Sequence, residues 1–294
     1  MSWRTVVISN NAKLDYQIGY LVVRGAETTK IHLNEIGTLI IESTAVSMTS
    51  YLLSELIKNK VKVIFCDEKR NPASELLPYY GSHDTSAKIR KQIEWTKEEK
   101  ALIWTEIVSE KIKQQALLLE RYHKKEAMML YGYMEEVEFG DVTNREGHAA
   151  KVYFNALFGK SFTRTDETPT NAALNYGYSI ILSIFNREIV SSGYLTQIGL
   201  FHDNMFNQFN LASDLMEPFR PLVDEKVIEL KPEKFEKDEK HLMLGLLNKE
   251  VEISGKKEVL SNAIKIYCKS VFDALNDRDI CLLYTSDAAD DMQC

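Results

Sequence analysis

Cysteine is scarce in this 294-residue chain: Cys66, Cys268, Cys281 and Cys294 are its four, and no two form a CxxC pair. That spacing excludes a cysteine-based zinc site and supports no disulfide framework. Cys66 closes the apolar run 61–65 and reads as a reduced, buried thiol. Long apolar runs are also missing; none reaches the ~18 residues that a membrane-spanning helix needs. Met1-Ser2-Trp3-Arg4-Thr5 leads straight into a strand-like segment, without the hydrophobic stretch of a signal peptide. A cytoplasmic protein with no membrane association is therefore expected.

Several catalytic signatures are absent too. There is no HExxH zinc motif, no dinucleotide fingerprint and no nucleophile elbow. Gly159-Lys160-Ser161 has the ending of a P-loop, but Phe154 stands where its first glycine is required. Net positive charge is lacking as well: 36 Lys and Arg face 43 Asp and Glu, a formal charge of −7. This argues against a protein that coats nucleic acid wholesale, although charge can still be unevenly distributed. Local basic clusters do occur at Lys88/Arg90/Lys91, at Lys111/Lys113 and at Arg121/His123/Lys124/Lys125. Taken singly, each reads as a solvated helix face.

With 45% hydrophobic and 27% charged residues, the chain has ample material for a core. Its texture changes along its length. Thr5–Ser9, Tyr20–Arg24, Lys30–Leu33 and Thr38–Glu42 read as strands, 47–59 as a helix and 61–65 as a buried strand. Residues 67–84 contain Pro72, Pro78 and Gly81 and read as a linker. From Thr85 the apolar residues recur at helical spacing through a long charged segment. Further helices are expected near 146–158, 170–191, 205–217, 221–230, 239–248 and 256–275. The expected fold is α+β in two domains: a small N-terminal β-rich domain (1–80) and a larger all-α C-terminal catalytic domain (85–280). The last stretch, 281–294, has neither period and reads as a non-native tail, a cloning or sequence-assembly scar. Removing its three aspartates changes the formal charge from −7 to −4.

Three residues stand out as candidate ligands: Glu146, His202 and Glu217. On a helix beginning near Glu146, Ala149, Ala150, Tyr153 and Leu157 follow at +3, +4, +7 and +11, placing the carboxylate on the apolar face. A carboxylate there must be paired, protonated or bound to metal. His202 ends Gly199-Leu200-Phe201-His202, and Glu217 lies in Asp214-Leu215-Met216-Glu217-Pro218-Phe219-Arg220-Pro221. Two carboxylates and one imidazole suit Mg²⁺ or Mn²⁺ better than zinc. Such an ion can activate a hydroxyl and neutralise charge on a phosphate. Blander roles compete: a helix N-terminal acid for Glu146, a core histidine for His202, and capping or an Arg220 pair for Asp214 and Glu217. Asp214 is a candidate supporting residue behind the metal, or a ligand itself. Pro218 is expected to break or kink the helix.

Taken with Asn171-Ala172-Ala173-Leu174-Asn175-Tyr176-Gly177-Tyr178, these segments resemble the CRISPR adaptation integrase family, in order and in spacing. The likeness runs over roughly 1–280 and is strongest to the type II subtype, which works with a single RNA-guided effector nuclease. The resemblance implies a metal-dependent DNA integrase and endonuclease acting in spacer acquisition for antiviral defence. In that reaction a 3′-hydroxyl of captured DNA attacks a phosphodiester at the repeat boundary. It implies Glu146, His202 and Glu217 as catalytic metal ligands for Mg²⁺ or Mn²⁺; the third ligand is aspartate in some relatives. It also implies double-stranded DNA as substrate and a homodimer, two of which flank a small dimeric adaptation subunit. Other adaptation proteins and the effector nuclease are further implied partners. DNA binding is expected to be backbone-directed and salt-dependent. Two alternatives are a stand-alone metal-dependent nuclease and a non-catalytic helical DNA-binding scaffold.

Overall fold

Short β-branched segments at the N-terminal end pair into two four-stranded sheets. The computed structural model describes residues 4–79 and 82–283. Its strands are β1 (Arg4–Ile8), β2 (Ala12–Gln17), β3 (Tyr20–Arg24), β4 (Thr28–His32), β5 (Ile36–Ile41) and β6 (Val46–Met48). Helix α1 (Ser50–Lys58) follows, then β7 (Lys62–Cys66) and β8 (Pro72–Leu76). One sheet has the order β1-β5-β7-β8, the first three strands parallel and β8 antiparallel; the other has the order β4-β3-β2-β6. Leu39 and Ile41 of β5 join Leu14, Leu21 and Ile31 from the other sheet and Leu52 and Leu56 from α1 in one apolar core. The two-residue alternation of a strand thus supplies one wall, and the helical spacing of α1 another.

Three strands of this unit escape the sequence reading. β6 has only three residues, none of them buried, and takes the start of the segment read as a helix over 47–59. In β2 only Leu14 is fully buried, so its apolar alternation is faint. β8 lies inside the stretch read as a linker, its proline at the strand's first position, where no ladder donor is needed.

The second compact unit comprises 82–246 and 250–283, while Leu247–Lys249 groups with the first. It contains α2 (Thr85–Glu94), α3 (Lys97–Arg121), α4 (Ala127–Glu135), α5 (Arg145–Phe158), α6 (Pro169–Ser191), α7 (Asn210–Leu215), α8 (Arg220–Leu230), α9 (Lys237–Leu244) and α10 (Leu260–Asp277). The 25-residue α3 starts at a capping box, Thr96 with Glu99, which separates it from α2. It is the central helix, in contact with α4, α5, α8 and α10.

A β-rich region followed by a helical one is the observed architecture. The helical region carries one exception, the hairpin β9 (Glu250–Ile253) and β10 (Lys256–Val259), which takes the first residues of the segment read as the last helix. Helix α4 was not anticipated either: its sequence AMMLYGYME includes a glycine and lacks a clear polar face. Among the described residues Cys66 and Cys268 are buried free thiols. Residues 284–294, most of the expected tail, lie outside the described residues. Among the described residues no helix is long and apolar enough to cross a membrane.

Candidate active site

Glu146 sits in the first turn of α5, which is capped twice. Asn144, in the left-handed region, accepts from the Gly147 amide, and buried Asp141 accepts from the amides of Arg145 (2.7 Å) and Glu146 (3.1 Å). These bonds satisfy the helix's orphan N–H groups and fix where Glu146 starts. The expected face is seen in part. Ala149 and Tyr153 are fully buried, whereas Ala150 and Leu157 are half-buried and the Glu146 side chain keeps 29% exposure.

His202 is placed by a loop rather than a helix. The fully buried Asp214, on α7, accepts from the amides of Leu200 (2.6 Å), Phe201 (3.1 Å) and His202 (3.1 Å). The same carboxylate lies 2.5 Å from His202 Nδ1, which must carry the proton to donate to it. Asp214 therefore has no oxygen left for a ligand of its own and acts by orienting the imidazole, leaving Nε2 available. This hydrogen bond, opposed by partial burial, holds the imidazole's pKa above its ordinary value. Gly199 makes the close turn possible: a Cβ there would meet the His202 carbonyl and lie 2.7 Å from Asp214 Oδ2. Buried Trp104 on α3 stacks flat against Phe201 at 4.5 Å and meets the edge of His202 at 5.9 Å, bracing the loop.

Glu217 follows a helix break. α7 stops at Leu215, Pro218 sits in a short 3-10 turn over Glu217–Phe219, and α8 restarts with Pro221 near its first position. Asp214 and Glu217 therefore do not share one helix face in a common task; they take different partners. Glu217 is almost fully buried and receives Arg220 Nε on Oε1 at 2.8 Å. Its Oε2 lies 2.5 Å from Lys111 Nζ, yet receives no properly directed hydrogen bond. That contact is a close ion pair. Burial pushes the Glu217 carboxyl up, but Lys111 and Arg220 outweigh it and hold the group below its ordinary value.

Lys111 ties the two acids together. Its ammonium touches Glu146 Oε1 as well as Glu217 Oε2, with a side chain only 7% exposed. Burial would lower its pKa; Glu217 and Glu146 reverse this and hold it above the ordinary lysine value. This overturns the reading of Lys111 as part of a solvated basic face. The signal was local: Ile107, Val108, Ile112 and Gln115 surround it at helical spacing, and all are buried. Glu146 and Glu217 thus meet through a common cation, and both are close enough to raise the His202 pKa. Among the described residues, however, no three His, Cys, Asp or Glu side chains stand at metal-ligand spacing of one another.

Behind the site lies a buried network the sequence reading missed. Asp224 of α8 accepts from Tyr153 of α5 (2.8 Å) and from Tyr178 of α6. Arg220 lies over the Tyr178 ring at 4.7 Å, and Arg164 at 5.3 Å. Burial pushes the Asp224 carboxyl up to about 6, partly offset by the two tyrosine hydroxyls and then Arg220 and Arg164. Both tyrosine hydroxyls are raised, by burial first and by Asp224 second. Asn171 at the start of the Asn171–Tyr178 motif is structural: it accepts from Arg164 (2.6 Å) and donates to the carbonyls of Thr163 and Asp166.

The family model for CRISPR associated protein Cas1 matches residues 5–253, and so takes in every segment just described. The chain belongs to the Cas1 family. A CRISPR-associated endonuclease Cas1 from Neisseria meningitidis serogroup C (strain 8013) is 38% identical over 232 residues, covering 78% of this chain and 76% of the relative. Two solved structures share the fold. A casposase bound to integration product has a TM-score of 0.75 at 19% identity, over 95% of this chain and 91% of that one. A Cas6-RT-Cas1–Cas2 complex has a TM-score of 0.73 at 18% identity, over 97% of this chain and 36% of that one. The resemblance read from four short motifs is thus a family relationship, and the Cas1 region spans both the β-rich and the helical parts.

Proposed function

We propose that this Cas1-family chain inserts captured DNA into a CRISPR array by transesterification, using Mg²⁺ or Mn²⁺ held by Glu146, His202 and Glu217. The observation that carries the reading is the pairing of two acids, one on α5 and one in the turn between α7 and α8, on one cation, beside an imidazole whose Nδ1 is taken by Asp214. The donor set fits a hard divalent ion: two carboxylates, one of them with a buried oxygen that receives no directed hydrogen bond, and one imidazole nitrogen. When bound, such an ion supplies charge neutralisation at the reacting phosphate and activates the attacking hydroxyl.

The chain's own residues do the rest. Asp141 and Asn144 hold the first turn of α5, and with it Glu146, in place. Asp214 holds His202 in one tautomer. Arg220 fixes Glu217 and adds positive charge at a site meant for polyanions. The 3′-hydroxyl of the incoming DNA displaces the 3′-oxygen of the target phosphodiester. One bond forms as one breaks, so no nucleotide fuel is consumed, in keeping with the missing P-loop. Water in place of the hydroxyl yields nuclease activity from the same residues.

On this reading double-stranded DNA is the substrate and the working form is a homodimer bridged to a second by a small dimeric subunit. The Cas1–Cas2 pairing in the name of one fold relative supports such a partner. The deciding assay combines supercoiled repeat-bearing DNA, short duplexes, Mn²⁺ and the partner subunit. Wild type is expected to give joined products, and Glu146→Ala or His202→Ala to lose them by at least roughly 100-fold. Cleavage without joining points to a nuclease alone. Activity unchanged in His202→Ala contradicts the site altogether.

A further inference from the structure

Lys111 projects from the buried side of the central helix α3 into the gap between Glu146 and Glu217, and its ammonium contacts both carboxylates. We propose that Lys111 is an internal counter-ion that holds the metal-free site together and competes with the divalent ion for these two acids. The inference rests on the metal-site reading above and adds a determinant of when the ion loads.

Three features carry it. The first is charge balance. Lys111 and Arg220 already offset Glu146 and Glu217 at the site. An ion entering a balanced site gains less than one entering a site with two uncompensated acids, and it must displace an ammonium first. The second is the quality of the contacts. Arg220 grips Glu217 Oε1 through a directed 2.8 Å hydrogen bond, whereas Lys111 divides one ammonium between Glu217 Oε2 and Glu146 Oε1. A single charge shared between two acids is exchangeable for a divalent ion that serves both at once. The third is the side chain itself: a point-charge ammonium on a flexible four-carbon stem gives up fewer shaped hydrogen bonds on withdrawing than a planar guanidinium fork does.

The test is calorimetric titration of Mn²⁺ into the full chain without DNA, comparing wild type, Lys111→Met, Lys111→Arg and Glu146→Gln. Methionine keeps the unbranched apolar stem but removes the ammonium, so Lys111→Met is expected to bind Mn²⁺ at least roughly tenfold more tightly than wild type. Arginine keeps the charge and clasps carboxylates in two-pronged fashion, so Lys111→Arg is expected to bind more weakly than wild type. Equal or weaker binding by Lys111→Met, with Glu146→Gln weakened, overturns the competition while leaving the metal site standing. Should Lys111→Met fail to fold, binding by Lys111→Arg as tight as wild type overturns it. Mn²⁺ binding untouched by Glu146→Gln, or absent from every protein, sinks the metal-site reading and the competition with it.

Discussion

Single side chains at this site act chiefly by holding one another. Asp214 spends both oxygens on the loop and ring of His202, Arg220 fixes Glu217, and Asp224 takes two tyrosine hydroxyls in a setting closed to water. Asp224 has a consequence for pH. Its folded-state pKa of about 6 lies above the ordinary aspartate value of an unfolded chain. Between roughly pH 4 and 6 the folded protein binds a proton that the unfolded chain has released. Stability from this residue is therefore fully present near pH 4, falls as pH rises, and is level above 6, by at most roughly 3 kcal/mol. Urea unfolding of wild type and Asp224→Asn across pH 4–7 checks this. The wild type is expected to lose stability relative to the variant across that window, and parallel profiles contradict the assignment.

At the scale of elements, the site depends on how closely α6 approaches α8 and α9. Gly177 of α6 is the point of contact: a Cβ there would run into the Val223 side chain and lie 2.8 Å from Met243 Cε. The glycine of the Asn171–Tyr178 motif thus serves tight packing, and that packing sets Tyr178 against Asp224 and Arg220. Gly177→Ala is expected to cost roughly 1–3 kcal/mol by overpacking. Val223→Ala removes the clashing methyls, so the double variant is expected to be less destabilised than the sum of the two. Denaturant midpoints of the four proteins read this directly, and strict additivity argues against the contact.

Across the whole molecule, periodicity made most of the architecture legible. Tyr20–Arg24 is a strand over the range read from it, and α5 and α6 begin within a residue of their expected starts. What was lost had weak local signal: β2 with one deeply buried residue, three-residue β6 with none, β8 behind a proline, α4 without a clear polar face, and the β9–β10 hairpin at a helix entry. The candidate ligands were legible because acids and a histidine interrupt apolar or small-residue contexts. Their supports were not, since Lys111, Trp104 and Asp224 acquire their roles only when α3, the His202 loop and α8 meet. A lysine in a charged helix looks like surface until the two acids that neutralise it arrive from 35 and 106 residues away.

The central claim is that Glu146, His202 and Glu217 come within reach of one ion. Anomalous scattering from Mn²⁺-soaked crystals of the wild-type chain measures this most directly. A single strong peak about 2.1 Å from an oxygen of each carboxylate and close to His202 Nε2 is the expected result. A peak held by other residues, or none at saturating Mn²⁺, contradicts it.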